Sequence, residues 1–214
     1  MNAVLTATAL RKWFTSGDER IVPVDGVDLD VHAGEIVLVT GPSGSGKTTL
    51  LQLLTGFQRP DEGKVEWPGG GAMPSWSAVA VVPQSLGLLP ELTVAENIAL
   101  PLTAPGRTVA ARVAPRVAAA LTLLGVEQLA DRLAGETSLG QQQRVAVARA
   151  LVVGPQVLVA DEPTSHQDHE HAEVVLRAIA AVAARGTACV LAGHDPLLAS
   201  VAARVLRMES GRLA

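Results

Sequence analysis

The run Gly41, Pro42, Ser43, Gly44, Ser45, Gly46, Lys47, Thr48 and Thr49 sets glycines around a turn and follows them with a cation and two hydroxyls. That order suits the phosphates of a nucleotide. Glycine lets backbone N–H groups turn inward and approach phosphate oxygens closely. A helix opening at Lys47 adds the partial positive charge of its N-terminus. The run fits G-x-x-x-x-G-K-[ST] at every position; in that pattern the lysine reaches the β- and γ-phosphates and the first hydroxyl, Thr48, ligates Mg²⁺. The plain alternative is an ordinary glycine-rich turn between a strand and a helix, and Lys-Thr in register argues against it. A second constellation follows the apolar run Val157 to Ala160, which leads into Asp161 and Glu162. A strand that ends in an acid brings a carboxylate to the metal. Successive residues of an extended chain point different ways, so Asp161 can serve Mg²⁺, through water, while Glu162 faces an attacking water. By itself the pair would read as a solvated acidic turn; beside a phosphate loop it does not.

The elements that must hold these groups alternate between strand and helix. This favours a mostly parallel sheet covered by helices. Val4–Leu10 and Val27–Val31 are expected as early strands, and residues 35–40 as a short strand running into the glycine-rich turn, with a helix over Lys47–Leu54. A strand is expected near Lys64–Trp67, a turn at Pro68 to Gly71, and a buried strand at Ala78–Val82. From about Thr93 to Gly154 the chain is helical in character. Thr93 and Glu96 form a capping-box pattern. A helix over Arg107–Leu124 should kink or restart at Pro115 and stop at Gly125. Strands at Val157–Ala160 and Thr187–Ala192 flank a helix over His169–Ala184, and Arg204–Met208 closes the series.

Composition bounds the rest. A chain of 214 residues with 48% apolar residues can bury a substantial core. Its 17 Lys+Arg against 21 Asp+Glu form no basic stripe, which argues against a nucleic-acid surface. The single cysteine, Cys189, lies in an apolar run; it excludes an internal disulfide and fits a buried thiol in a reducing compartment. No segment offers the roughly 20 apolar residues a spanning helix needs, and no signal peptide is expected. Any membrane role therefore calls for a separate chain.

With these motifs in place, the sequence resembles the ATP-binding domain of ABC transporters over nearly its whole length. Val81-Val-Pro-Gln84 is similar to the family's Q-loop, Ser138-Leu-Gly140-Gln141-Gln-Gln-Arg144 to its signature motif, Val157 to Thr164 to Walker B with the catalytic glutamate, Ser165 to Asp168 to the D-loop, and Gly193-His194-Asp195 to the switch histidine. The resemblance implies an α/β fold: a P-loop NTPase core with a mostly parallel sheet, an antiparallel β region at the N-terminus and an inserted helical subdomain. It implies one domain over 1–214, with its core at about 1–90 and 155–214 and the helical part at about 91–154. It implies MgATP as ligand, with Thr48, Gln84 and Asp161 around Mg²⁺ and Glu162, His194 and Gln84 at the γ-phosphate. Phe14 is the best match to the aromatic ring that stacks on adenine, with Trp13 as the neighbouring alternative. Ser138, Gly140 and Gln141 would contact ATP held by a second ATP-binding subunit, identical or not, and Asp168 would organise that interface. The remaining partner would be a transmembrane permease on a separate chain, placing this one at the inner face of the cell membrane in the cytoplasm.

Within the family the sequence is most similar to the branch of lipoprotein release, macrolide-type export and the cell-division ATPase, through residues 17–24, 84–90, 92–97 and 160–164. It departs from the family pattern twice. The signature reads Thr137-Ser-Leu-Gly-Gln141, with Leu139 where glycine is usual, and the stretch between Val65 and Gln84 is short. The first departure keeps a low-turnover ATP-binding subunit in view. A signalling or mechanical ATPase that drives a membrane protein without moving a solute would carry the same motor residues. His166, His169 and His171 beside Asp168 and Glu170 lack the spacing of a zinc pair on one helical face, and His32 reads as a surface residue.

Overall fold

The computed structural model describes residues 3–17, 19–71, 73–103 and 112–214. In chain order the strands are β1 (Ala3–Ser16), β2 (Glu19–His32), β3 (Ile36–Thr40), β4 (Glu62–Glu66), β5 (Val79–Val82), β6 (Val157–Asp161), β7 (Ala188–Ala192), β8 (Arg204–Glu209) and β9 (Arg212–Leu213). The helices are α1 (Lys47–Leu54), α2 (Val94–Thr103), α3 (Val113–Leu124), α4 (Leu139–Leu151), α5 (His169–Ala183) and α6 (Pro196–Val201).

β3, β5, β6 and β7 are almost continuously apolar, as strands buried on both faces must be. They join β8 and β9 in a six-stranded sheet ordered β5-β6-β7-β3-β8-β9, parallel except for the β8–β9 hairpin. Their alternation feeds two cores. Ile36, Leu38, Leu158, Ala160, Cys189 and Leu191 pack with α2 to α6 on one face. Val37, Val39, Val157, Val159 and Val190 pack on the other with α1 and the antiparallel sheet β2-β1-β4. Each fully buried leucine or valine contributes about 1.5–3 kcal/mol. Cys189 is wholly buried, which pushes its thiol up to about 12.

The sequence-based strand ends fall short in the first hairpin. β1 and β2 run on past Leu10 and start before Val27, because the added half is held by cross-strand pairs such as Phe14↔Ile21 and Thr15↔Arg20 and by the Arg11–Asp25 ion pair at 3.0 Å. Only the half that covers the core carries the apolar alternation. The series also does not close at Met208: β9 turns back on β8, pairing Met208↔Leu213.

The segment between β5 and β6 is helical but not continuously so. The capping box forms, with Thr93 Oγ1 accepting from the Glu96 N–H at 3.1 Å and Glu96 Oε2 accepting from the Thr93 N–H at 2.8 Å. The helix start expected at Arg107 lies outside the described residues. Within them α3 begins at Val113, so Pro115 sits in its first turn, where a missing N–H interrupts no helical bond. Gly125 ends it in a left-handed conformation. Short 3-10 turns then lead to α4, and a single bridge pairs Thr93 with Leu133. α2, α3 and α4 pack on one another. Between β4 and β5 the described residues form turns only, and Trp76 stacks on Phe57 at 5.3 Å.

Because β3, β6 and β7 are parallel neighbours, the loops at 41–46, 162–168 and 193–195 leave the same edge of the sheet. Sites of open α/β sheets form at that edge.

Candidate active site

The phosphate loop joins β3 to α1. Gly46 opens the helix at φ 108, a left-handed value, and a side chain there would run into the Pro23 carbonyl and lie 2.8 Å from Met208 Cε. Only glycine satisfies both demands. Lys47 Nζ donates to the Gly41 and Pro42 carbonyls at 2.8 and 3.0 Å. Its ammonium is thereby held over the loop. Ser45 is buried, and its Oγ has no hydrogen-bond partner among the described residues. A buried hydroxyl left unpaired in a cradle of N–H groups fits an anion with spare oxygens. Pro42, Ser43 and Gly44 are exposed beside it.

The carboxylates meet this loop. Thr48 Oγ1 donates to Asp161 Oδ2 at 2.8 Å. Burial at the end of β6 pushes the Asp161 carboxyl above its ordinary range, the Thr48 hydrogen bond opposes this, and the neighbouring Glu162 charge adds to it. A buried carboxylate against a hydroxyl at a helix start is a hard-oxygen set that a divalent cation would relieve, so the residues fit Mg²⁺. Thr48, Gln84 and Asp161 line one pocket of about 510 Å³.

Glu162 is less ordinary. Its φ is 52, a left-handed backbone in a residue with a Cβ, which costs on the order of 1–3 kcal/mol. The surroundings hold it there. Its N–H donates to the Ala192 carbonyl at 2.8 Å and its carbonyl accepts from the Ser165 N–H at 3.1 Å. Its Oε1 lies 2.8 Å from Nδ1 of His194, whose ring is largely exposed. Asp195 caps α6 through the Leu197 N–H at 2.9 Å and accepts from Thr164 Oγ1 at 2.8 Å, fixing the loop that carries His194.

The other sequence-selected residues fall around this centre. Phe14 is 42% exposed near the tip of the first hairpin, opposite Ile21. The Trp13 face is covered by the Arg20 guanidinium at 3.7 Å. Ser138 caps α4: its side chain accepts from the Gln141 N–H at 3.3 Å, while Gln141 Oε1 accepts from the Ser138 N–H at 2.9 Å. Asp168 caps α5, and its carboxylate holds the His171 N–H and ring. Two more of the histidine cluster are explained locally: His169 pairs with Glu173 at 3.3 Å, and His166 takes φ 60.

Leu139, which stands where glycine is usual, is the first residue of α4. Its backbone is ordinary helix and does not need glycine, and its side chain is 57% exposed rather than turned into the core. The glycine that the chain itself requires is the next one. A Cβ at Gly140 would sit 2.7 Å from the His166 carbonyl.

Two polar residues of α4 escaped the sequence reading. Gln143 is buried and donates to the Glu162 carbonyl at 3.3 Å. Arg149 donates to the Leu86 and Gly87 carbonyls, just past Gln84, at 2.5 and 2.6 Å. Arg149 stands in the apolar, alanine-rich half of α4, which marks a polar group with a buried partner but does not name it; Gln143 lies within the polar run Gln141 to Arg144 and carries no such signal.

Fold and site together define an α/β cassette shaped for nucleotide phosphates beside paired carboxylates. Residues 24–165 match the family model described as ABC transporter. The lipoprotein-releasing system ATP-binding protein LolD of Chromohalobacter salexigens is 38% identical over 220 residues, 98% of this chain and 92% of that protein. LolD of Granulibacter bethesdensis is 41% identical over 214 residues, 94% and 91% of the two chains. The uncharacterized ABC transporter ATP-binding protein Rv2564 of Mycobacterium tuberculosis is 40% identical over 216 residues, which is 95% of this chain but 64% of that protein. Among solved structures, a dimeric post-hydrolysis state of the ATP-binding cassette MJ0796 bound to ADP and Pi superposes with a TM-score of 0.90 at 29% identity, covering 98% of this chain and 96% of that one. A nucleotide-free ATP-binding cassette from an ABC transporter gives 0.80 at 25% identity, covering 99% and 89%. This chain belongs to the ABC transporter family, as an ATP-binding cassette of a family that hydrolyses ATP. Among the described residues no helix is long and apolar enough to cross a membrane.

Proposed function

We propose that this chain is the ATP-hydrolysing motor subunit of an ABC transporter complex, coupling ATP-driven pairing of two ATP-binding subunits to a separate transmembrane partner. The observation that carries this is the convergence at one sheet edge of the phosphate loop, the Thr48–Asp161 contact and the Glu162–His194 pair. In this reading the chain is one ATP-binding domain, with α2 to α4 as its inserted helical subdomain, working at the inner face of the cell membrane.

Loop residues 41–49 hold the phosphates, and Lys47 leaves the Gly41 and Pro42 carbonyls for the β- and γ-phosphate oxygens. Phe14, half-exposed beside an already covered Trp13, stacks on adenine. Mg²⁺ bound with ATP would be held by Thr48 and Asp161, with Gln84 adjoining, and supplies charge neutralisation at the phosphate oxygens. Glu162 orients water and takes its proton as the water oxygen bonds to the γ-phosphorus and the bond to the ADP oxygen breaks. His194 donates to the γ-phosphate. The exposed N-terminus of α4, with Ser138, Gly140 and Gln141, faces the ATP of the second subunit, and Asp168 shapes that interface. ATP thus holds two subunits together and hydrolysis releases them. The stacked Phe57–Trp76 pair is exposed on both rings, an apolar patch of the kind that contact with the transmembrane partner would cover. The 57% exposed Leu139 favours a second reading, a subunit of low intrinsic turnover.

Replacing Glu162 with Gln should preserve ATP binding, slow hydrolysis at least ~100-fold, and trap an ATP-dependent dimer seen by size exclusion. The trapped form should retain a membrane protein in a pull-down, whereas Lys47→Ala should bind ATP poorly. Normal turnover by the Glu162 variant, or full ATP affinity in the Lys47 variant, would remove the assignment.

A further inference from the structure

We infer that Gln143 is a positioning residue for Glu162 and links the signature end of α4 to the water-activating carboxylate of the same subunit. This rests on the motor reading above. Gln143 is 1% exposed, so its amide has no water to fall back on. Both ends are used. Nε2 donates to the Glu162 carbonyl at 3.3 Å, and Oε1 accepts from Ser165 Oγ at 3.3 Å. The Ser165 N–H donates to that same Glu162 carbonyl at 3.1 Å. The three groups close a ring around one peptide, the peptide that follows the left-handed φ of Glu162. Turning the amide over would set two oxygens against each other at Glu162, so only one orientation satisfies the ring.

The geometry has a directional consequence. Gln143 rides on α4 five residues after Ser138. The Ser138 end of the helix is exposed, and in the motor reading it touches the nucleotide of the other subunit. Tilt or advance of α4 therefore reaches Glu162 through the amide without passing through the nucleotide this subunit holds. A strained peptide held in place by its hydrogen-bond partners shifts when one of those partners, here the Gln143 amide, moves. The carboxylate swings with its peptide, and with it the place where water is activated. Engagement of one ATP thereby adjusts catalysis at the other.

The test compares Gln143→Met and Gln143→Leu with the unaltered chain, alone and combined with Glu162→Gln. Both side chains fill the buried slot and lose the two hydrogen bonds. ATP affinity measured by fluorescent-nucleotide titration should stay within about twofold, while kcat falls about 10- to 100-fold, the scale of a misplaced catalytic group. In the Glu162→Gln background the Gln143 change should add less than about twofold to the single-turnover rate, because its effect runs through a carboxylate already removed. Undiminished kcat, additive losses in the double variant, or joint loss of folding and ATP binding in both variants would overturn the inference. An unaltered chain that neither binds nor hydrolyses ATP would instead overturn the motor reading on which it stands.

Discussion

At the residue scale, Asp161 shows a conflict between stability and function. Burial holds its carboxyl above the ordinary range. The folded chain therefore keeps this proton to higher pH than the unfolded chain does. Stability falls as pH rises from the unfolded value through the raised folded one, and above that window the full penalty of a buried charge remains. An amide at this position keeps an acceptor for Thr48 and carries no charge. Asp161→Asn should raise the nucleotide-free melting temperature at neutral pH, by about 2–4 °C for each kcal/mol relieved in a domain this large, and should weaken Mg²⁺-dependent ATP hydrolysis. Differential scanning fluorimetry with and without MgATP checks both halves. A variant that melts lower than the parent in the absence of nucleotide would mean the carboxylate is a net support. The same scale explains why some of the site was legible and some was not. The phosphate loop is contiguous, and its chemistry is written in nine adjacent positions. Asp161 and Glu162 announce themselves as acids at the end of an apolar strand. Gln143 acts across 19 residues and Arg149 across 62, and no local pattern states what lies opposite them.

At the scale of the element, α4 gathers more of the site than any other helix. It carries the Ser138 cap, the Gly140 contact to the His166 carbonyl, Gln143 under Glu162, and Arg149 against the segment after Gln84. Leu139 is its first residue, and its backbone is already helical, so the unusual side chain affects what approaches the helix rather than the helix itself. Apolar atoms at that end shield N–H groups without pairing them. Leu139→Gly should therefore raise ATP turnover and ATP-dependent dimerisation together, and lower stability by up to about 1 kcal/mol, the cost of glycine in a helix. Steady-state ATPase and light scattering at saturating ATP decide the matter; equal turnover in the two forms would make the substitution neutral. Most helix and strand identities in this chain followed from periodicity and breakers, as with Gly125 ending α3; the short α6 and β9 were not expected. The outer half of the first hairpin did not, because its residues are held by pairing and ion pairs instead of by a buried face. The 3-10 turns before α4 lacked a signal for a similar reason: their shape is set by contacts with the start of α2.

At the scale of the whole molecule, carboxylates fasten the antiparallel sheet within itself and to β9. Asp25 lies between Arg11 and Arg212, joining the first hairpin to β9. Asp61 accepts from the Trp13 N–H at 2.8 Å and from Lys12 at 3.2 Å. The Arg212 hydrogen bond holds the first below the usual carboxylate value of 3.8, and the Trp13 N–H does so for the second. Acids of lowered pKa add stability that is complete above their unfolded values and is lost as pH falls through the folded ones. Acid should thus loosen the sheet that carries Phe14 before it melts the parallel core. The expected result is a drop in melting temperature below about pH 4, smaller in high salt and smaller again in Asp25→Asn. A salt-insensitive acid transition would place the cause elsewhere.

The phosphate loop is enclosed by residues far from it in the chain: Pro23 and Met208 crowd Gly46, and the Gly211 N–H donates to the Ser45 carbonyl at 3.0 Å. During synthesis the loop residues emerge long before the β8–β9 hairpin that walls them in. A ribosome-bound chain can hold every letter of the motif and still lack a cradle. Competence to grip a nucleotide then switches on late, when the closing hairpin docks, so a half-made subunit would not capture ATP and pair prematurely with a finished one.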